Sequence, residues 1–284
     1  MVLRIASIAF LNPAPLLYDF EHEPTASQLR ENYALHYTSP AQCATELHQG
    51  RADLGLIPIA SLTPSLAIVP GCTIASLDEV RSILLLVKNP HDLPETEALS
   101  GVRTLAADAA SRSSQAYANI LFRHFLKTHP TTHEQAADPL AMLTTADAAL
   151  LIGDPALLAR EHRGAIAAAA TVPLLWLDLA SLWRRHTGLP WVAAVWAVRT
   201  EAVTDAAQLT RDLTTSRDNG LAHIDQLVRE WTPRIAIPPE TIRAYLTRNI
   251  HYTLDPACIE SIHLFRTLAA EIGILPPLRT LRML

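Results

Sequence analysis

Several polar side chains stand where a strand-like run gives way to a turn or a helix, the places at which α/β proteins collect ligands. Asn12 follows the apolar run of residues 4–10 and precedes Pro13. An amide there can donate to a carboxylate or hydroxyl, and accept from a departing hydroxyl, without ionising; the plainer alternative is an Asx turn before proline. Ser111-Arg112-Ser113-Ser114 sits between a strand and an Ala/Leu/Phe-rich helix, so hydroxyls and free backbone N–H groups converge as an anion site. The terminus carries roughly +0.5 charge and each charge-assisted hydrogen bond contributes about 1.5–3 kcal/mol, enough to orient a carboxylate. The plainer alternative is a Ser113 cap and an Arg112 paired with a surface acid. Gly153 permits close approach of a ligand to backbone. Asp154, just before Pro155, is either a helix cap over residues 155–162 or a cleft residue. Ser82 adds a hydroxyl on an extended segment, where a solvated strand serine is the alternative. There is no Gly-rich phosphate loop, HExxH or GxSxG, so neither a metal nor a nucleotide cofactor is indicated.

The elements that must position these groups alternate. Residues 4–10, 33–37 and 54–59 read as strands, and Pro40 opens a helix through His48 that Gly50 ends, giving a β-α-β unit. Residues 73–77 and 81–87 are extended, and residues 88–101, polar and without periodicity, read as a linker. A second unit follows: strand 104–107, helix 113–127, a short helix at 139–143 and strand 148–152. The apolar run 191–198 carries the chain back, and everything after Glu201 reads as helix, with caps at Asp205, Asp218 and Asp255. The pattern predicts two α/β lobes joined by two crossings, with a ligand cleft between them. Lobe one is discontinuous, residues 1–88 and 196–284; lobe two is 89–195. The crossings, near residues 83–88 and 193–199, are the expected hinges of a closing motion. The five tryptophans and the run 173–177 read as core.

Composition bounds the partners. Apolar residues at 49% and charged residues at 18%, with 20 Pro and 9 Gly, exclude a disordered, collagen-like or repeat-dominated chain. A net charge of -5 leaves no cation excess for a phosphate backbone, so nucleic acid is not an expected partner. Cys43, Cys72 and Cys258 lack the short spacing of a disulfide framework or zinc site and read as reduced, buried thiols. The Pro-rich turn after Leu11 interrupts anything like a signal peptide, and residues 83–87 and 165–179 are too short or broken by Pro173 and Asp178 to span ~30 Å of hydrocarbon. The expectation is a cytoplasmic protein with a small-molecule substrate and no membrane partner; protein partners are not legible.

Separated segments together resemble one family, the chorismate dehydratases of the futalosine route of menaquinone biosynthesis. They are Phe10-Leu11-Asn12, residues 50–58 (GRADLGLIP), Ser76 with Val80-Arg81-Ser82, Ser111-Arg112-Ser113-Ser114, Leu151-Ile152-Gly153-Asp154, Trp183 with Thr187-Gly188-Leu189-Pro190 and Trp196, and Asn249-Ile250-His251-Tyr252. The resemblance implies an α/β, two-lobed, periplasmic-binding-protein-like fold of type II, and a hydro-lyase that turns chorismate into 3-[(1-carboxyvinyl)oxy]benzoate. It implies a chemical role for Asn12, and substrate-binding roles for Ser82, Ser111, Arg112, Ser113, Ser114, Gly153 and Asp154. Pro13, Ala60, Ser61 and Ala193 stand where the family commonly has other residues.

The matched motifs supply Ser, Asn, Arg and one Asp but no His, Lys or Glu placed as a base, although elimination needs a proton acceptor. The substrate's own enolpyruvyl carboxylate is the expected acceptor. Two alternatives remain open from sequence: a cytoplasmic small-carboxylate binding or sensing protein of the same fold, and the naphthoate-forming sibling enzyme, whose pattern relies on a cleft histidine. Chorismate turnover separates all three.

Overall fold

Unbroken apolar runs such as LGLIP, ILLLV and AALLI suit strands covered on both faces. The computed structural model describes residues 2–108 and 112–284, and it places each of these runs inside a sheet. The strands are β1 (Leu3–Ile8), β2 (Tyr33–Thr38), β3 (Leu54–Pro58), β4 (Ala67–Ser76), β5 (Ile83–Lys88), β6 (Thr104–Asp108), β7 (Thr131–Gln135), β8 (Ala148–Ile152), β9 (Leu174–Asp178), β10 (Trp191–Val198) and β11 (His251–Leu254). One sheet has the order β11-β4-β10-β3-β1-β2, the other β7-β6-β8-β5-β9. Within each, one strand runs against two parallel-running neighbours: β10 between β3 and β4, and β5 between β8 and β9. Alternate residues of β5 show why the second sheet is apolar throughout. Leu85 and Val87 join the core shared by both lobes, while Leu84 and Leu86 face a separate cluster with Met142 and Leu151. Each such buried side chain contributes about 1.5–3 kcal/mol.

The helices that frame the site are α1 (Pro40–His48), α2 (Arg112–Asn119), α3 (Gly153–Glu161), α4 (Leu179–Thr187), α5 (Ala206–Ala222), α6 (Ile224–Ile235) and α7 (Pro256–Glu271). Their starts follow capping chemistry: Ser39, Asp178, Asp205 and Asp255 accept backbone N–H bonds at the heads of α1, α4, α5 and α7. Asp218, expected as a cap, lies inside α5, because the Asp205 cap starts a helix that runs unbroken to Ala222. The expected all-helical ending is interrupted by β11, which four residues form by pairing with β4. Among the described residues no helix is long and apolar enough to cross a membrane.

The crossings lie outside the strands expected to contain them. Residues 83–88 form β5 and pair on both sides in the second sheet, and residues 191–198 form β10 and pair on both sides in the first. Doubly paired strands are poor hinges, so the chain changes lobe at residues 77–82 and 188–190. Each stretch holds one residue in the left-handed region, Arg81 (φ 67°) and Gly188 (φ 74°). Residues 88–101 are not a linker either. Asn89 closes a turn through both of its amide atoms with Leu93, and a helix, Glu95–Gly101, follows Pro94.

Candidate active site

The carboxyl ends of β1, β3, β4 and β8 meet the amino ends of the reversed strands β5 and β10 along the line between the sheets. A cleft of about 490 Å³, counting its open mouth, lies there. Phe10 and Asn12 line it after β1, Pro58 at the end of β3, Ile74 on β4, Ile83 at the start of β5 and Arg112, Ser113 and Ser114 at the start of α2. Ile152 and Gly153 close one side after β8, and Trp191, Ala193 and Ala194 of β10 close the other. The walls are otherwise apolar. Among the described lining residues Arg112 is the one charged group, and they include no carboxylate, imidazole or amine.

Ser111 lies outside the described residues. Arg112 is exposed and has no hydrogen-bond or ion-pair partner among the described residues, so the expected surface acid is not there. Ser113 and Ser114 are buried. The Ser113 hydroxyl accepts from Ala60 N–H at 3.2 Å and donates to the Ala193 carbonyl at 3.2 Å, so it bridges α2 to two elements of the first lobe. One turn further along α2, the Tyr117 hydroxyl donates to the Val192 carbonyl at 3.0 Å and holds the same strand. Ser114 makes no side-chain hydrogen bond with the described residues and keeps its hydroxyl free.

Asn12 offers the cleft an open acceptor: its Oδ1 is buried without a partner among the described residues. Leaving such an acceptor unpaired costs about 1–3 kcal/mol, so a ligand donor is its natural complement. Its backbone is fixed by the Tyr252 hydroxyl, which donates to the Asn12 carbonyl at 3.0 Å, and its side chain adjoins the Tyr245 hydroxyl. Tyr245 in turn donates to Ser82 Oγ at 2.8 Å, and burial pushes its own pKa up, so it remains a neutral donor. Ser82 is buried at 1% exposure behind this tyrosine, not on the cleft surface, and its carbonyl accepts from Gly153 N–H at 2.8 Å. Tyr245 and Tyr252 carried no signal beyond the Asn-Ile-His-Tyr segment, because neither belongs to a spacing pattern with Asn12. Trp191 was also missed: it lines the cleft, and its buried indole N–H has no partner.

Gly153 has φ +61°, and a Cβ there would stand 2.9 Å from the Phe10 ring, so the position demands glycine. Asp154 does not cap its helix. Its Oδ1 accepts from Leu11 N–H at 3.1 Å, across the lobe boundary. Burial raises its pKa to about 6, opposed by the Leu11 bond. Its side chain belongs to a neighbouring cavity of about 740 Å³ that shares Ile8 and Phe10 with the cleft and is also lined by Glu21, Tyr37, Trp231 and Arg234. A cluster of potential metal ligands, His251, Asp255 and Cys258, sits at the head of α7, away from these residues. Asp255 caps the helix and bonds His251 at 2.9 Å, so the set is internally satisfied.

The arrangement can hold a small anion between an arginine, a helix start and hydroxyls on one side and an unpaired amide oxygen on the other. Comparison with known proteins narrows the choice. A family model described as menaquinone biosynthesis matches residues 3–271. The chorismate dehydratase of Thermus thermophilus is 26% identical over 237 residues, covering 79% of this chain and 82% of that protein. A solved protein of Archaeoglobus fulgidus superposes with TM-score 0.70 at 14% identity, over 96% of this chain and 98% of that one. The periplasmic aliphatic sulphonate binding protein of Escherichia coli gives 0.65 at 15% identity, over 95% and 86%. A Candida albicans protein described as having the generic periplasmic binding protein fold gives 0.62 at 10%, over 98% and 92%. At these identities the structures establish the fold alone, and it is the two-lobed, periplasmic-binding-protein-like fold expected from the sequence.

Proposed function

The chain belongs to the menaquinone-biosynthesis family, and on that premise we propose that it is a chorismate dehydratase, a lyase converting chorismate to 3-[(1-carboxyvinyl)oxy]benzoate and water. The observation that carries this reading is the buried, unpartnered Asn12 Oδ1 in a cleft whose one charge is Arg112. Chorismate brings two carboxylates and a ring hydroxyl. The start of α2 receives the ring carboxylate through Arg112, the Ser114 hydroxyl and the first backbone N–H groups, Ser113 included, while the Ser113 hydroxyl stays on Ala193 and holds the helix in place. Asn12 accepts from the ring hydroxyl or donates to the side-chain carboxylate.

No lining group is a base, and the substrate supplies one. The hydrogen to be lost sits on the ring carbon bearing the enolpyruvyl ether, and the carboxylate of that ether reaches it through a six-membered arrangement. The C–H electron pair becomes the new ring double bond, the neighbouring C–O bond breaks, and the proton leaves with the hydroxide as water. Intramolecular delivery has effective molarities of about 10⁵ M and above, so fixing one side-chain rotamer in a dry cleft removes several kcal/mol of barrier. Aromatisation supplies the driving force. The protein's part is to hold both carboxylates and exclude water, which suits apolar walls such as Ile74, Ile83 and Trp191.

Incubating the purified protein with chorismate and following the product by mass and ultraviolet absorbance tests the reading. The expected result is a benzoate lighter than chorismate by one water. Chorismate bound but returned unchanged would make the chain a binding protein of this fold, and chorismate neither bound nor changed would remove the assignment.

A further inference from the structure

We propose that Asp154 is a positioning residue: from the second lobe it grips the Leu11 peptide, and through that peptide it sets the place of Asn12. The inference rests on the reading above only in giving Asn12 a task; the grip itself is geometric.

Two consecutive residues at the head of α3 meet two consecutive residues after β1, just before Asn12. Gly153 lies so close beneath the Phe10 ring that even a methyl group would collide with it. Asp154 takes the Leu11 N–H at 3.1 Å. The next residue, Asn12, is fixed from the first lobe by Tyr252 and adjoins Tyr245, whose hydroxyl reaches Ser82, whose carbonyl returns to Gly153 N–H. The contacts form a closed circuit through 153, 82, 245, 12, 11 and 154. Asp154 is the link between its lobe and the peptide that precedes Asn12.

Three features separate this role from the plainer ones. Asp154 does not cap α3, so the helix does not require it. Among the described residues it lines the cavity beyond Phe10 and not the cleft that holds Arg112 and Asn12. Its bond joins the two lobes, so separating them at this edge breaks it and releases the Leu11 amide, while Tyr252 still holds the Asn12 carbonyl. Asparagine can keep the bond through its own Oδ1; alanine cannot; glutamate keeps an acceptor but displaces it by one methylene.

The test compares the full-length parent chain with Asp154→Asn, Asp154→Ala and Asp154→Glu by two readouts: kcat and KM for chorismate, and hydrogen exchange at the Leu11 amide. Misplacing a reacting group by about 1 Å costs on the order of 100-fold, so Asp154→Ala should lose about 30-fold in kcat with KM within about 3-fold. Asp154→Glu should lose about 10-fold, and Asp154→Asn should stay within about 5-fold of the parent. Exchange at Leu11 should accelerate at least about 10-fold in the alanine variant and change little in the asparagine one. A rise in KM with kcat unchanged would make Asp154 a substrate contact. An asparagine variant as inactive as the alanine one, with exchange at Leu11 unaltered, would make it the base; either outcome overturns the proposal. If the alanine variant does not fold, an Asp154→Glu variant with parental kcat and exchange overturns it equally. A parent that leaves chorismate unchanged removes the functional reading, while the exchange arm still decides whether Asp154 holds Leu11.

Discussion

Two aspartates of the second lobe, Asp178 buried and Asp154 half-buried, reach toward the first, and they differ in how completely they are satisfied. Asp178, at the end of β9, accepts from Val80 and Arg81 N–H in the first crossing and from Ala180 and Ser181 N–H at the head of α4, and pairs with Arg160 at 3.2 Å. Asp154, in the cavity beside the cleft, accepts from Leu11 alone among the described residues. Burial raises the pKa of both. At Asp178 the N–H groups and Arg160 pull against it, whereas at Asp154 one N–H does. A carboxylate with many partners fixes a crossing in one geometry. A carboxylate with one partner holds a contact that lobe motion can break. The difference separates a many-partnered fastening at the first crossing from a single-bond contact beside the cleft.

The contrast predicts unequal consequences. Asp178→Ala should cost about 3–5 kcal/mol in chemical denaturation, because it leaves the Val80, Arg81, Ala180 and Ser181 N–H groups without their acceptor, while Arg160 keeps Glu79. A loss below about 1 kcal/mol would erase the distinction. On the opposite wall, replacing Ser113 and Ser114 together by alanine should raise KM for chorismate about 30-fold, the equivalent of ~2 kcal/mol of lost hydrogen bonding. Unchanged product affinity by calorimetry would take the anion site away from α2.

The smallest effect is the most specific. A carboxyl whose folded pKa is raised binds an extra proton in the native state, so it costs stability as pH climbs from its ordinary value to its folded one. For Asp154 that window runs from about 4 to about 6. The parent should lose stability across it and stay level above, relative to Asp154→Asn. At pH 8 the variant should be more stable by about 1–3 kcal/mol. Parallel stability–pH curves for the two proteins would show that Asp154 is not a burdened carboxylate.

Local chemistry made much of this legible. The helix at Pro40–His48, the strands at Ala148–Ile152 and Trp191–Val198, and the caps Asp205 and Asp255 follow from residue type and period, and each stands where those signals put it. The crossings were misplaced because an apolar run reveals a strand without revealing its sheet: β5 and β10 each pair in the lobe the chain is entering. β11 was hidden because four residues between helices form a strand only through the edge of β4. At the site, Asn12, Arg112, Ser113, Ser114 and Gly153 were named from junction chemistry and family motifs, and all line one cleft. Ser82 and Asp154 were named as well, yet they lie one contact away from the cleft lining, bonded to Tyr245 and Leu11. Sequence spacing carries no information on contacts between residues 82 and 245 or 11 and 154, which only the meeting of lobes creates.

Asn12, with its amide beside Tyr245 and its Oδ1 without a partner among the described residues, is proposed to organise the reacting substrate in a cleft whose described lining holds no base. Asn12→Ala tests this role most directly, with kcat for chorismate and the affinity for product measured on the same folded protein. The account predicts a fall in kcat of about 100-fold or more against a change in product affinity of about 10-fold or less. Parental turnover in the Asn12→Ala protein, or a loss confined to binding, would contradict it.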